Sequence, residues 1–139
     1  MSETTPLYET GMVFGVFDGF HPGHQHFLSE AAKQCQTLIV VVARPEIVLV
    51  LKNHAPRQSL EKRLEKIVSY NSSWIVIPGD SKIGTWSALK THTPEVIFLG
   101  YDQTALQDEL EKLGITYRCI TAHHPDTYKS SLLNSDLTT

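Results

Sequence analysis

The chain has 139 residues, 41% of them hydrophobic and 19% charged, with a formal net charge of −3. That length suits one domain with a real core, and the composition is that of an ordinary soluble globular protein. It excludes a generic nucleic-acid surface, which needs a basic stripe or tail, and the longest apolar stretch, Leu38 to Ala43, excludes a membrane-spanning helix. Residues 1–11 are polar and lack the apolar segment of a signal peptide, so residues 1–10 read as a loose leader and the protein as cytoplasmic. Cys35 and Cys119 lie far apart and imply reduced, buried thiols, with no disulfide framework.

A strand is expected over residues 12–17, where the run Val13-Phe14-Gly15-Val16-Phe17 is apolar and β-branched or aromatic. Gly19, Pro22 and Gly23 break it, and a helix follows over 23–36, with Phe27, Leu28, Ala31 and Ala32 on one face. Strand, tight turn and helix N-terminus form the place where α/β proteins bind phosphate, through free backbone N–H groups and the positive end of the helix dipole. Two histidines, His21 and His24, stand three residues apart there. Across that turn the spacing brings both imidazoles to one side of a pocket, as neutral donors or as cations. Two other readings of the cluster exist: a structural turn with exposed histidines, and a zinc site using His21, His24 and His26. No cysteine or carboxylate at ligand spacing supports the latter.

The second strand, 37–44, is apolar on both faces, as in a parallel sheet covered by helices on each side. Pro45 ends it, a short helix spans 46–51, and Lys52 begins a loop. Ser59 caps a helix in which Leu60, Leu64, Ile67 and Val68 are apolar and Glu61, Lys62 and Arg63 polar. A strand at 74–78, a weaker helix within 81–91, a strand at 95–99, a helix at 104–113 stopped by Gly114, and a strand at 116–120 follow. The tail carries a His-Pro turn, Tyr128-Lys129-Ser130-Ser131 and a short helix. Five strands alternating with helices describe one doubly wound, Rossmann-like α/β domain over 1–139 with a five-stranded parallel sheet. Ligands belong at the strands' carboxyl ends.

Gly15-Val16-Phe17-Asp18 followed by His21-Pro22-Gly23-His24 resembles the GxFD and HxGH signature of the nucleotidylyltransferase superfamily. Its members include cytidylyltransferases, pantetheine-phosphate adenylyltransferase and archaeal-type FAD synthase. The resemblance implies that His21 and His24 are catalytic and that Val16, Phe17, Asp18 and Gly23 bind nucleotide. It extends through Val42-Ala43-Arg44-Pro45-Glu46 to Arg63, similar in spacing to archaeal-type FAD synthases and glycerol-3-phosphate cytidylyltransferases. There Lys52 matches a catalytic lysine that contacts triphosphate; the plain alternative is a solvated surface lysine. Leu99-Gly100-Tyr101-Asp102-Gln103 resembles the GxDQ of the FAD synthases and implies nucleotide contacts from Gly100 and Asp102, although Asp102 also suits an Asx turn. Lys129-Ser130-Ser131 partly resembles an ISST-type motif that binds the outer phosphates; an N-cap is the alternative. Val16 replaces the threonine of the usual GTFD.

The chemistry implied is transfer of a nucleoside monophosphate from ATP or CTP to a phosphorylated acceptor, with Mg²⁺ carried on the phosphates and no resident metal. A phosphate oxygen is already anionic at neutral pH, so no strong general base is needed. The FAD synthase resemblance points to FMN and ATP, the cytidylyltransferase resemblance to a polyol phosphate such as glycerol 3-phosphate and CTP. A non-catalytic nucleotide-binding module is the reading from another class. No nucleic-acid or membrane partner is implied. The glycerol-3-phosphate cytidylyltransferases carry RYVDEVI at a dimer interface. Here Ser69-Tyr70-Asn71-Ser72-Ser73-Trp74-Ile75 lacks the arginine and acidic residues, leaving monomer and homodimer both open.

Overall fold

A computed structural model describes residues 7–81, 86–100 and 103–120. The elements run β1 (Tyr8–Gly15), α1 (Pro22–Ala32), β2 (Cys35–Val42), α2 (Pro45–Lys52), α3 (Leu60–Tyr70), β3 (Ile75–Pro78), α4 (Ser87–His92), β4 (Val96–Gly100), α5 (Thr104–Leu113) and β5 (Tyr117–Ile120). The sheet has five parallel strands in the order β3-β2-β1-β4-β5. The chain therefore winds outward from β1 to β3, then returns across β1 to build β4 and β5, so β1 and β4 flank the switch point.

Side-chain alternation sorts the core into two layers. Val13, Leu38, Val40, Val42, Val96 and Phe98 face α1 and α3, meeting Phe27, Leu28, Ala31 and Ile67. Met12, Ile39, Val41, Ile97 and Leu99 face the other way, against Leu89 of α4 and Leu110 of α5. Both faces of the inner strands are thus buried, which is why they read as continuous apolar runs. No described helix is long and apolar enough to cross a membrane.

The structure corrects several sequence-based boundaries. Residues 8–10, expected in a loose leader, belong to β1: Tyr8 pairs with Cys35, and its N–H donates to the Gln34 carbonyl at 3.0 Å. That same pairing draws Cys35 out of the expected helix and starts β2 two residues early. Of the two thiols expected to be buried, Cys35 is, and its pKa is pushed up to about 11 by desolvation; Cys119 is exposed. Lys52 is not in a loop but in the last turn of α2, because Pro45 serves as the first helical residue and the helix runs on to an Asn53 cap at φ 63. On α3, Val68 is exposed whereas Arg63 is wholly buried, the reverse of their expected sides. The tail with Lys129, Ser130 and Ser131, together with Tyr101, Asp102 and part of the expected 81–91 helix, lies outside the described residues.

Candidate active site

β1 ends at Gly15, and the chain reaches α1 through a tight turn with positive φ at Phe17 (53°), Gly19 (81°) and Phe20 (41°). Phe17 folds back beneath the turn and is fully buried. A Cβ on Gly15 would stand 2.7 Å from the Phe17 ring, so glycine is what admits that ring. Val16 is also buried, which leaves its backbone rather than its side chain toward the end of the strand.

His21 is the N-cap of α1, and Pro22 follows it, where its missing N–H costs nothing. The His21 Nδ1 accepts from the N–H of Gly23 (3.1 Å) and of His24 (3.3 Å). In return the His24 Nδ1 accepts from the N–H of His21 at 3.3 Å. The pair forms a capping box, a role usually filled by Ser or Thr with Glu or Gln. The rings stack 3.7 Å apart at 17°, and a Cβ on Gly23 would lie 2.9 Å from the His21 Cε1. The glycine between the histidines is therefore the space into which the His21 ring folds.

This geometry settles the charge and tautomer of the pair. A nitrogen that accepts from a backbone N–H carries no proton, so each neutral ring bears its hydrogen on Nε2. His24 is only 4% exposed, packed edge-on against Phe17 and stacked on Phe20. Burial first, then the charges of His21 and Lys52, push its pKa down to about 3. Burial also lowers that of His21. The expected free backbone N–H groups of the helix N-terminus are taken up by the imidazoles, so at neutral pH the Nε2–H groups are the donors left for an anion.

Asp18 ties the turn to the segment that precedes α3. Its carboxylate accepts from the N–H groups of Arg57 (2.7 Å) and Gln58 (3.0 Å), and the Gln58 Oε1 accepts from Gly19 N–H at 3.1 Å. The segment before α3 is thereby laced to the histidine turn. Lys52, one face-turn from buried Val48 on α2, comes near enough to His24 for its charge to act on that ring. Gly100 ends β4, and its N–H donates to the Gln103 Oε1 at 2.8 Å. The Gln103 Nε2 donates to the Phe14 carbonyl at 2.9 Å, so this amide spans β1 and β4 beyond Val13, where their pairing stops.

Sequence reasoning did not single out Gln103, Gln58 or Arg63 for a role of their own. For Arg63 a signal existed: it stands three after Leu60 and four before Ile67, on the apolar stripe itself. Among the described residues, no three His, Cys, Asp or Glu side chains come together as metal ligands. The residues present fit a divalent cation carried on a triphosphate: both Nδ1 atoms accept the cap's N–H groups, and each Asp18 oxygen already accepts one backbone N–H.

A model of the cytidylyltransferase-like family matches residues 12–134. The FAD synthase of Thermococcus sibiricus is 34% identical over 122 residues, covering 85% of this chain and 81% of the relative. That of Thermococcus kodakarensis is 36% identical over 126 residues, covering 86% and 81%. Among solved structures, a lipopolysaccharide core biosynthesis protein from Thermoplasma volcanium superposes with a TM-score of 0.67 at 32% identity, covering 83% of this chain and 96% of that one.

Proposed function

The chain belongs to the cytidylyltransferase-like family of nucleotidyltransferases, and from that footing we propose that it transfers AMP from ATP to FMN, forming FAD and pyrophosphate. The choice of acceptor and base rests on the FAD synthases to which it is similar. The observation that carries the chemistry is the stacked, neutral histidine pair at the head of α1.

A terminal oxygen of the FMN phosphate attacks the α-phosphorus of ATP. The new P–O bond forms as the bond to the β-phosphate oxygen breaks, and pyrophosphate leaves with that electron pair. No proton need be removed from the nucleophile, which suits a site whose histidines are held neutral. In this reading their Nε2–H groups donate to the α-phosphate oxygens, where charge crowds as phosphorus becomes five-coordinate. Because the rings are fixed by the cap before substrate arrives, little reorganisation is needed. The ammonium of Lys52 supplies charge for the triphosphate, and Gly100, Asp102, Lys129, Ser130 and Ser131 contribute further nucleotide contacts in this reading. Val16, Phe17, Asp18 and Gly23 act by shaping the turn. A divalent cation such as Mg²⁺, carried by ATP, would supply charge screening for its phosphates. We assign the reaction to one domain over residues 1–139, working in the cytoplasm with no nucleic-acid or membrane partner, as monomer or homodimer.

The test is pyrophosphate release with FMN or glycerol 3-phosphate, each with ATP or CTP, with and without EDTA. Turnover with FMN and ATP that EDTA stops and Mg²⁺ restores is the expected result. Turnover only with glycerol 3-phosphate and CTP transfers the assignment to the cytidylyltransferases, and nucleotide binding without turnover on any pair makes the protein a binder.

A further inference from the structure

Arg63 is 0% exposed, on the face of α3 that packs into the core. Its Nη1 donates to two carbonyls, Val16 at 3.1 Å and Ala43 at 2.8 Å, and its Nε donates to the Gln58 carbonyl at 3.1 Å. Its Nη2 is buried without a hydrogen-bond partner. Burying a guanidinium carries a large desolvation cost, and a packed aliphatic side chain is commonly as stable in such a place or more so. What the guanidinium adds is geometry, because its planar fork holds several acceptors at set angles.

The three acceptors are distributed tellingly. Val16 precedes Phe17, whose φ of 53° turns its ring against His24, 5.4 Å away and edge-on. Ala43 precedes Arg44, the N-cap of the helix that carries Lys52. Gln58 is the residue that binds both Asp18 and Gly19 on the far side of the histidine turn. The two hydrogens of one nitrogen thus reach the roots of the two elements that bear the phosphate-binding groups.

We infer that Arg63 is a positioning residue for nucleotidyl transfer, setting the histidine pair and the Lys52 helix at one spacing by holding the Val16 and Ala43 carbonyls. It touches no reacting atom; its effect passes through the backbone. A lysine keeps the charge but offers one flexible ammonium, which cannot hold three carbonyls in that arrangement.

The experiment compares Arg63→Lys and Arg63→Met with Ile67→Ala, a buried change one turn along the same helix that contacts none of these carbonyls. Melting temperature, kcat, KM for ATP, and the ¹⁵N signals of the His21 and His24 imidazoles in ligand-free protein are measured. In Arg63→Lys, kcat falls about ten- to a hundredfold while KM for ATP changes less than about threefold, the pattern of misplaced groups. The imidazole signals lose the Nε2–H tautomer pattern of the wild type. Ile67→Ala lowers the melting temperature yet leaves kcat and the imidazole signals as they were. The inference is overturned if Arg63→Lys melts lower but keeps wild-type kcat and imidazole signals, or if Ile67→Ala loses as much of both. Arg63→Met extends the comparison where it folds; in the wild type, guanidinium hydrogens of Arg63 exchanging as fast as those of a solvent arginine would also overturn it. The kcat arm rests on the transfer reaction proposed above, whereas the imidazole signals do not, so failure of one is separable from failure of the other.

Discussion

The neutral state of His24 makes stability depend on pH in a direction opposite to that of a histidine paired with a carboxylate. Its folded pKa of about 3 lies below its ordinary value of 6.5, so the unfolded chain takes up a proton that the folded one refuses. Above pH 6.5 both states are neutral and the full stability is present; as pH falls from there toward 3, stability is lost. Each unit of separation corresponds to about 1.4 kcal/mol, so bringing the protein from pH 7 to about pH 5 costs about 2 kcal/mol through this one ring. Urea unfolding at pH 7, 6 and 5, run on the wild type and on His24→Gln, isolates the contribution. The wild type's stability relative to the variant should shrink by about 2 kcal/mol across that range. His21, whose pKa is also lowered, stays in both proteins and largely cancels. A difference that is flat with pH, or an NMR titration placing His24 near 6.5, would refute the capping geometry from which the neutral tautomer follows.

Other outcomes follow from the same turn and from the switch point. His21→Ala and His24→Ala should each lower turnover by about two to three powers of ten, the loss typical of a transition-state hydrogen-bond donor, with initial rates as the readout. Gly23→Ala gains about 1 kcal/mol in helix propensity and loses about 1 kcal/mol of cap as its Cβ displaces the His21 ring. Its melting temperature should therefore hardly move while turnover drops tenfold or more, and a fully active variant would contradict the ring placement. Gln103→Leu leaves the Phe14 carbonyl and Gly100 N–H without their amide partner. It should cost about 1 to 3 kcal/mol in chemical denaturation.

Much of this protein was determined by local sequence. The centres of the inner strands had to be buried on both faces because Met12-Val13, Leu38 to Val42 and Val96 to Leu99 are unbroken apolar runs, and α5 had to stop at Gly114, which adopts φ 72. The histidine turn was equally legible, since Gly15, Pro22, Gly23 and the three-residue spacing of His21 and His24 all act within a dozen residues. Tertiary structure alone decided what those residues do chemically. Whether the imidazoles are cations or neutral donors depends on which nitrogen the cap occupies and, for His24, on burial against Phe17 and Phe20. Arg63 looked like a solvated residue because its acceptors, Val16 and Ala43, lie 47 and 20 positions away and become neighbours only when β1 and β2 pair. Gln103 reaches Phe14 across 89 residues because the chain crosses back over β1 to lay down β4. Periodicity reports which side of an element is buried; the partners met there are set by the order of strands in the sheet, which is not a property of any single stretch of the chain.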